Sequence, residues 1–222
     1  RGDTLHLGHA AKGCRGYLAV AGGICVPPIL NSYSTYAPAK LGGYGGRSLQ
    51  TGDQLAIGNP LVTSFSTTWS LNPDAVPLPA NPCTLRMLPE GHLAKAHQAM
   101  ISTPMHVTAQ SDRMGIRFSE AVPPLSATPL SRAVLPGTIQ LPPDGKPILL
   151  LCDAQTIGGY PVLGHIIAAD LPRASQLRPG NTVCFSQTTI TEAHRLLRHQ
   201  HNMLATLQQG INHTLDLAEK AE

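Results

Sequence analysis

Residues 147–171 read PILLLCDAQTIGGYPVLGHIIAADL, and this stretch decides the fold. An apolar run over Ile148, Leu149, Leu150 and Leu151 predicts a buried strand. It passes straight into polar Asp153, Gln155 and Thr156, then the pair Gly158 and Gly159, then Tyr160 before Pro161. A second apolar run, residues 162–168, predicts another buried strand that ends at Asp170. Two strands flanking a polar, glycine-bearing bend are how a rigid scaffold presents side chains to a ligand. The alternative is a turn whose polar groups only satisfy backbone, but such a turn rarely needs a carboxylate, an amide, a hydroxyl and a phenol together.

Outward from this loop, one pattern recurs. Gly2-Asp3-Thr4-Leu5, Gly52-Asp53-Gln54-Leu55 and Gly180-Asn181-Thr182-Val183 each place Gly with Asp or Asn before alternating apolar residues. These read as turns entering strands of a β-rich body, with spacing too irregular for tandem repeats. Residues 16–24, GYLAVAGGI, predict a buried strand, and residues 84–88 and 105–118 predict further β structure. A short helix is expected near residues 92–100. Towards the end, Thr189-Ile190-Thr191-Glu192 looks like a capping box, and Ala193, Leu196, Leu197, Leu204, Leu207 and Ile211 carry a helical stripe behind it.

Composition agrees with a compact, mainly β protein. The chain has 222 residues, 42% of them hydrophobic and 13% charged, which argues against disorder. With Gly 21 and Pro 20, many short strands joined by tight turns are expected. A net charge of +3 without a basic run or aromatic-basic interleaving points away from nucleic acid. No apolar stretch is long enough to span a membrane. The five cysteines form no CxxC pair, so no metal site is expected; Cys14, Cys25, Cys152 and Cys184 read as small buried thiols, which favours the cytoplasm. None of the ten histidines has an evident partner in sequence.

Two further segments carry candidate chemistry. Gly42-Gly43-Tyr44-Gly45-Gly46-Arg47 permits positive φ and backbone amides close to an anion, with Gly43, Gly45, Gly46 and Arg47 the residues concerned. It lacks the GKS or GKT ending of a P-loop, and a glycine-rich hairpin without a ligand explains it equally well. Ser111-Asp112-Arg113-Met114-Gly115 brings Arg113 near Arg117, two guanidinium forks suited to carboxylate or phosphate. The competing explanation is an internal salt bridge from Arg113 to Asp112 or Asp153.

These strings closely resemble the KipA-like, or allophanate hydrolase subunit 2, family. That family includes the C subunit of 5-oxoprolinase, and its module forms the A and B subdomains of the carboxyltransferase part of urea carboxylase. The matching blocks are YLAVAGGICVPP (17–28), residues 32–35, GGYGGRSLQTGD (42–53), SDRMGIR (111–117), LPGTIQLPPDGKP (135–147) and DAQTIGGYP (153–161). Tyr33 stands where the family commonly has Arg, and Ile157 where a small hydroxyl residue is frequent.

The resemblance implies a cyclophilin-like β-barrel: the remainder of a truncated domain A over 1–60, a Pro-rich linker over 61–83, barrel domain B over 84–188 and a C-terminal α-helix over 189–217. It implies the C subunit of a cytoplasmic complex, working with a homologous KipI-like B subunit and an A subunit. That complex opens 5-oxo-L-proline to L-glutamate using ATP, with Mg implied. A lactam carbonyl is a poor electrophile, so activating its oxygen must precede attack by water. Arg113 and the glycine-rich amides would meet developing negative charge, and Asp153 or Asp112 would move the proton. Gln155, Thr156, Gly158, Gly159 and Tyr160, with Ser111, Arg117, Ser32, Ser34 and Thr35, would hold the substrate. Two alternatives stay open: a carboxyltransferase component of a biotin-dependent urea-degrading system, and a KipA-type regulator that binds a kinase inhibitor.

Overall fold

The computed structural model describes residues 2, 4–59, 70–72, 78–91, 94–124 and 130–219. Arg1, Asp3, His92 and most of the linker expected over 61–83 lie outside the described residues. The chain divides into two compact units, one of residues 1–16 and 71–215, the other of residues 17–70 with 216–222.

Among the described residues, nine strands and three helices build the larger unit. The strands are β1 (Cys83–Pro89), β2 (Met105–His106), β3 (Gly115–Arg117), β4 (Arg132–Ala133), β5 (Thr138–Gln140), β6 (Ile148–Leu150), β7 (Ile157–Gly158), β8 (Val162–Ile166) and β9 (Thr182–Gln187). Helix α1 (Ala94–Ser102) follows β1, α2 (Leu171–Ala174) follows β8, and α3 (Ile190–Glu219) is the last element. Seven strands form one sheet in the order β2-β9-β1-β8-β5-β6-β3, while β4 and β7 pair separately. Of these pairs, β1 and β9 run parallel, with Cys83 opposite Val183 and Met87 opposite Gln187; the others are antiparallel. The sheet curls until its edges meet. Val107 bridges Phe118, Thr108 N donates to Arg117 O at 2.9 Å, and Ser119 N donates to His106 O at 3.1 Å.

Alternation explains this curl. One face of each strand supplies the interior, where Leu85, Met87, Ile116, Ile139, Leu149, Leu163 and Val183 are fully buried. Ala96 and Met100 of α1 join that core, and Phe118 meets Phe185 edge-on, centroids 5.5 Å apart at 83°. On the opposite face, Ile167, Ala169 and Ala193 form a smaller cluster with Leu88 and Leu196, which seats the start of α3. Thr189 Oγ1 accepts the Glu192 amide at 3.2 Å, half of the expected capping box; the Glu192 carboxylate instead grips Arg195 at 2.7 Å.

Asp170 ties the sheet to α2. It is fully buried, and its carboxylate accepts Arg86 N at 2.8 Å, Arg86 Nε at 2.9 Å and an Arg86 terminal nitrogen at 2.5 Å, with Arg173 also bound. Residues 10–15 attach to this unit through Gln176, whose Oε1 accepts both the Cys14 and Arg15 amides at 2.8 Å, and through Arg178, which donates to Ala10 O at 2.9 Å.

The strand expected over residues 16–24 does not form. Tyr17 is 89% exposed, and its segment makes one isolated bridge, Ile24 to Ile57. An apolar run becomes a strand only where a neighbour satisfies its backbone, and among the described residues of that unit none does so beyond this bridge. The alternating residues after Gly52 likewise yield only Ile57 in that bridge. Nor are the cysteines uniformly buried. Cys14, Cys25 and Cys152 are exposed and Cys184 half-buried; Cys83 alone of the five is buried, and all five are free thiols.

Candidate functional site

Outside the barrel wall, a half-open cavity of ≈ 140 Å³ lies on the face of β3, β5 and β6 that points away from the core. Arg117 and Gln140 line it, flanking Ile148, and the 153–160 loop contributes Gln155 and Tyr160. Asp112, Met114 and Gly115 close another side. The loop expected to carry ligand contacts is therefore at a cavity, together with the expected SDRMG segment.

The SDRMG residues are positioned by their own backbone. Asp112 Oδ1 accepts the Met114 and Gly115 amides at 2.8 and 3.1 Å, an Asx turn that launches β3. Ser111 Oγ accepts the Arg117 amide at 3.0 Å and so holds the far end of the same strand. Arg113 meets Asp153 side-on, Nε to Oδ2 at 2.8 Å and a terminal nitrogen to Oδ1 at 3.3 Å. This pair joins the two segments but does not line the cavity. Of the two bridges weighed from sequence, Asp153 is the partner. Thr156 is exposed and gives its carbonyl to Val134 N at 2.9 Å, while Gly159 is exposed and approaches Ser131.

A residue not singled out in the sequence sits at the centre. Gln140 is 1% exposed, and its Oε1 accepts Gln155 Nε2 at 3.3 Å. Gly158 is buried directly against it: a Cβ there would lie 2.3 Å from Gln140 Nε2. The signal available in sequence was the polar-apolar-polar alternation of Thr138, Ile139 and Gln140 before Leu141, which sets Gln140 on the positions that face away from the core.

A polar network borders this site. Gly158 of β7 is paired with Arg132 of β4, whose guanidinium binds Glu90. Glu90 Oε2 lies 2.8 Å from His165 Nε2, and His165 Nδ1 lies 3.2 Å from Thr138 Oγ1, which accepts the Leu135 amide at 3.2 Å. With Nε2–H donating to Glu90 and the Thr138 hydroxyl donating to Nδ1, all three groups are satisfied. Histidines do, then, find partners: His97 Nε2 donates to Leu163 O at 2.6 Å, and His106 meets Glu120 at 2.7 Å.

Burial pushes the Glu90 carboxyl up, but the Arg132 and His165 hydrogen bonds and charges outweigh it and hold it below the usual carboxylate range. A lowered folded value means this stabilisation is present above the unfolded value near ~4.3 and is lost as pH falls through the folded one. Glu90→Gln is expected to lower stability by about 1 kcal/mol or less at pH 7, since the groups are part-exposed. In thermal melts the difference from wild type should be constant above ~4.3 and shrink as pH falls below it; a difference that does not shrink in acid would show that the carboxylate is not its source.

The remaining expected residues belong to the smaller unit. Ser34 N donates to Ser32 Oγ at 3.2 Å. Gly42, Gly43, Gly45 and Gly46 all take positive φ, and a Cβ on Gly43 would lie 1.8 Å from Thr35 Oγ1, so the hydroxyl-rich and glycine-rich loops do lie together. Arg47 is engaged by Asp53 through two bonds of 2.7 and 2.8 Å and stacks over Tyr44 at 5.3 Å. Arg47 and the Gln50 amide hold the Asp53 carboxyl down at about 2. The loop's one cation thus already has an anion.

Among the described residues, no group of three or more His, Cys, Asp or Glu is placed to hold a metal ion, and no helix is long and apolar enough to cross a membrane.

Comparison with known proteins gives this geometry its kinship. The chain is 37% identical over 219 residues to the C subunit of 5-oxoprolinase from Haemophilus influenzae, covering 95% of this chain and 68% of that protein. Against the C subunit of 5-oxoprolinase from Escherichia coli it is 37% identical over 218 residues, 93% of this chain and 66% of that one. It thus spans about two thirds of the length of these relatives. The crystal structure of Kluyveromyces lactis urea carboxylase superposes with a TM-score of 0.70 at 26% identity, over 86% of this chain and 19% of that one. A family match over residues 1–187 agrees with these relatives: the chain belongs to the carboxyltransferase domain family, subdomains A and B.

Proposed function

We propose that this chain is the C subunit of an ATP-dependent 5-oxoprolinase complex, which opens 5-oxo-L-proline to L-glutamate through an activated lactam. It would act in the cytoplasm with a homologous KipI-like B subunit and an A subunit. The kinship with the bacterial 5-oxoprolinase C subunits along nearly the whole chain carries this reading. The cavity supports it by size: ≈ 140 Å³ is well under the ~300–1,000 Å³ of sites for drug-sized ligands, and suits a lactam acid rather than a nucleotide.

Phosphorylation of the lactam oxygen by ATP would activate the carbonyl; water addition and C–N cleavage would leave an acyl phosphate, and a second water would release the phosphate. Among the described residues nothing fits that nucleotide or its Mg: the cavity is small, Arg47 is taken by Asp53, and no acidic cluster is present. We therefore assign ATP to the partner proteins of the complex and route no step on this chain through it. Asp153 or Asp112 would be the carboxylate that moves a proton as water adds and the ring nitrogen leaves; Asp112 lines the cavity, whereas Asp153 lies beside it, paired with Arg113. Gln155, Tyr160 and Arg117 hold the substrate, and Asp112 shapes the turn beneath it.

The test is ATP-dependent glutamate release from 5-oxo-L-proline by the protein assembled with its candidate B and A partners. Turnover should require this chain and fall about 100-fold in Asp153→Asn. An assembled complex without turnover would sink the reading. Biotin-dependent carboxylation of urea, then binding of a kinase inhibitor, would be assayed next.

A further inference from the structure

A residue that lines the cavity carries a polar atom with no counterpart. Gln140 Nε2 is buried and without a hydrogen-bond partner among the described residues. Burying an amide donor unpaired is unfavourable, and folded chains keep few such groups without a reason. Loose packing is not that reason, because Gly158 lies so close that its missing side chain is what admits the amide. The strands then set a second donor in line with the first. Arg117 is opposite Ile148 on β3–β6, and Gln140 is opposite Ile148 on β5–β6. Residues in register on neighbouring strands share a face at ~4.8 Å per strand, so the two backbones stand about 10 Å apart on one face. The Arg117 guanidinium has no hydrogen bond or ion pair among the described residues. The carboxylate on this wall, Asp112, accepts two backbone amides on its Oδ1.

Two unengaged donors, one neutral and one a charged fork, define a ligand with two kinds of acceptor. We propose that the cavity recognises a small molecule bearing both a carbonyl oxygen and a carboxylate, with the Gln140 amide donating to the carbonyl, the Arg117 guanidinium to the carboxylate, and Gly158 leaving the amide its approach. The proposal rests on the lactam-acid reading above and makes Gln140 the residue that reads the reacting carbonyl. Gln155 fixes the amide from its other end, through the bond to Gln140 Oε1.

The experiment is calorimetric titration of the whole protein, alone and assembled with its partners, with 5-oxo-L-proline, 2-pyrrolidinone (no carboxylate) and L-proline (no ring carbonyl). The first should bind, and each of the others should bind at least about 10-fold more weakly. Gln140→Met should weaken 5-oxo-L-proline about 10- to 100-fold while leaving Tm equal or higher, since it removes an unpaired buried donor. A merely structural glutamine would lower Tm instead. Gly158→Ala, which displaces the amide, should weaken binding in the same sense. Undiminished binding by Gln140→Met, equal affinity for 2-pyrrolidinone, or no binding of 5-oxo-L-proline in either state would overturn the proposal. Glutamate release separates it from the reading beneath. Turnover unimpaired in Gln140→Met sinks the recognition alone, whereas selective binding without any turnover sinks the oxoprolinase reading alone.

Discussion

Asp170→Ala is expected to destabilise the barrel by about 3 kcal/mol, toward the low end of the ~3–5 kcal/mol range for breaking a buried ion pair. The low end applies because the partners keep some water: the Arg86 and Arg173 side chains are 27% and 32% exposed, against 0% for Asp170. Losing the carboxylate leaves two guanidinium groups without their anion, and the Arg86 amide in β1 without an acceptor. For a chain of this size the melting point should fall by about 6–12 °C. Burial pushes the Asp170 carboxyl up, but the Arg86 hydrogen bonds and the Arg173 charge prevail and hold it below its ordinary value. Its contribution is therefore present above the unfolded value near ~3.9 and lost as pH falls through the folded one. Calorimetric melts should show a large gap between wild type and variant at pH 7 that narrows progressively as pH falls below ~3.9. Equal melting points at pH 7 would remove Asp170 from any role in holding α2 to the sheet.

Phe118→Ala should cost about 3–5 kcal/mol, the usual range for emptying a buried aromatic site. Phe118 is 1% exposed and sits where the two edges of the sheet are joined by the Val107 bridge. The hole would open at the seam, where few strand hydrogen bonds resist relaxation. Denaturant unfolding of Phe118→Ala, Phe185→Ala and the double variant would isolate the edge-to-face term, expected at about 0.5–1.5 kcal/mol. A loss near 1 kcal/mol for Phe118→Ala would mean the sheet does not close around this ring.

What the sequence revealed depended on whether the deciding partner was local. The apolar runs at 148–151 and 162–168 became β6 and β8 because apolar character and length are written in each segment. Residues 16–24 carried a comparable run and formed no strand, since pairing depends on a neighbour that the segment itself does not specify. The site shows the same division. DAQTIGGYP and SDRMG are compact, polar and conspicuous, and both reach the cavity through Gln155, Tyr160 and Asp112. Gln140 stayed hidden because its partners are a glycine and a glutamine on a later loop, and its distinguishing property is a bond it lacks. Glu90 and His165, 75 positions apart, meet only once β1 and β8 are side by side.

The parallel pairing of β1 with β9 sets the order in which this barrel can assemble. Cys83 finds Val183 across about a hundred intervening positions, and the other flank of β1 waits for β8. Until synthesis has passed β8, this interior strand has two open edges, and one of them stays open until β9 is made. Its side chains Leu85 and Met87, fully enclosed at the end, are the ones that wait longest. Loop closure on that scale makes folding slow for reasons of topology rather than size. A nascent chain therefore passes through an extended interval in which an interior strand of its barrel is available to other chains, and a helper that shields β1 would act before β9 emerges.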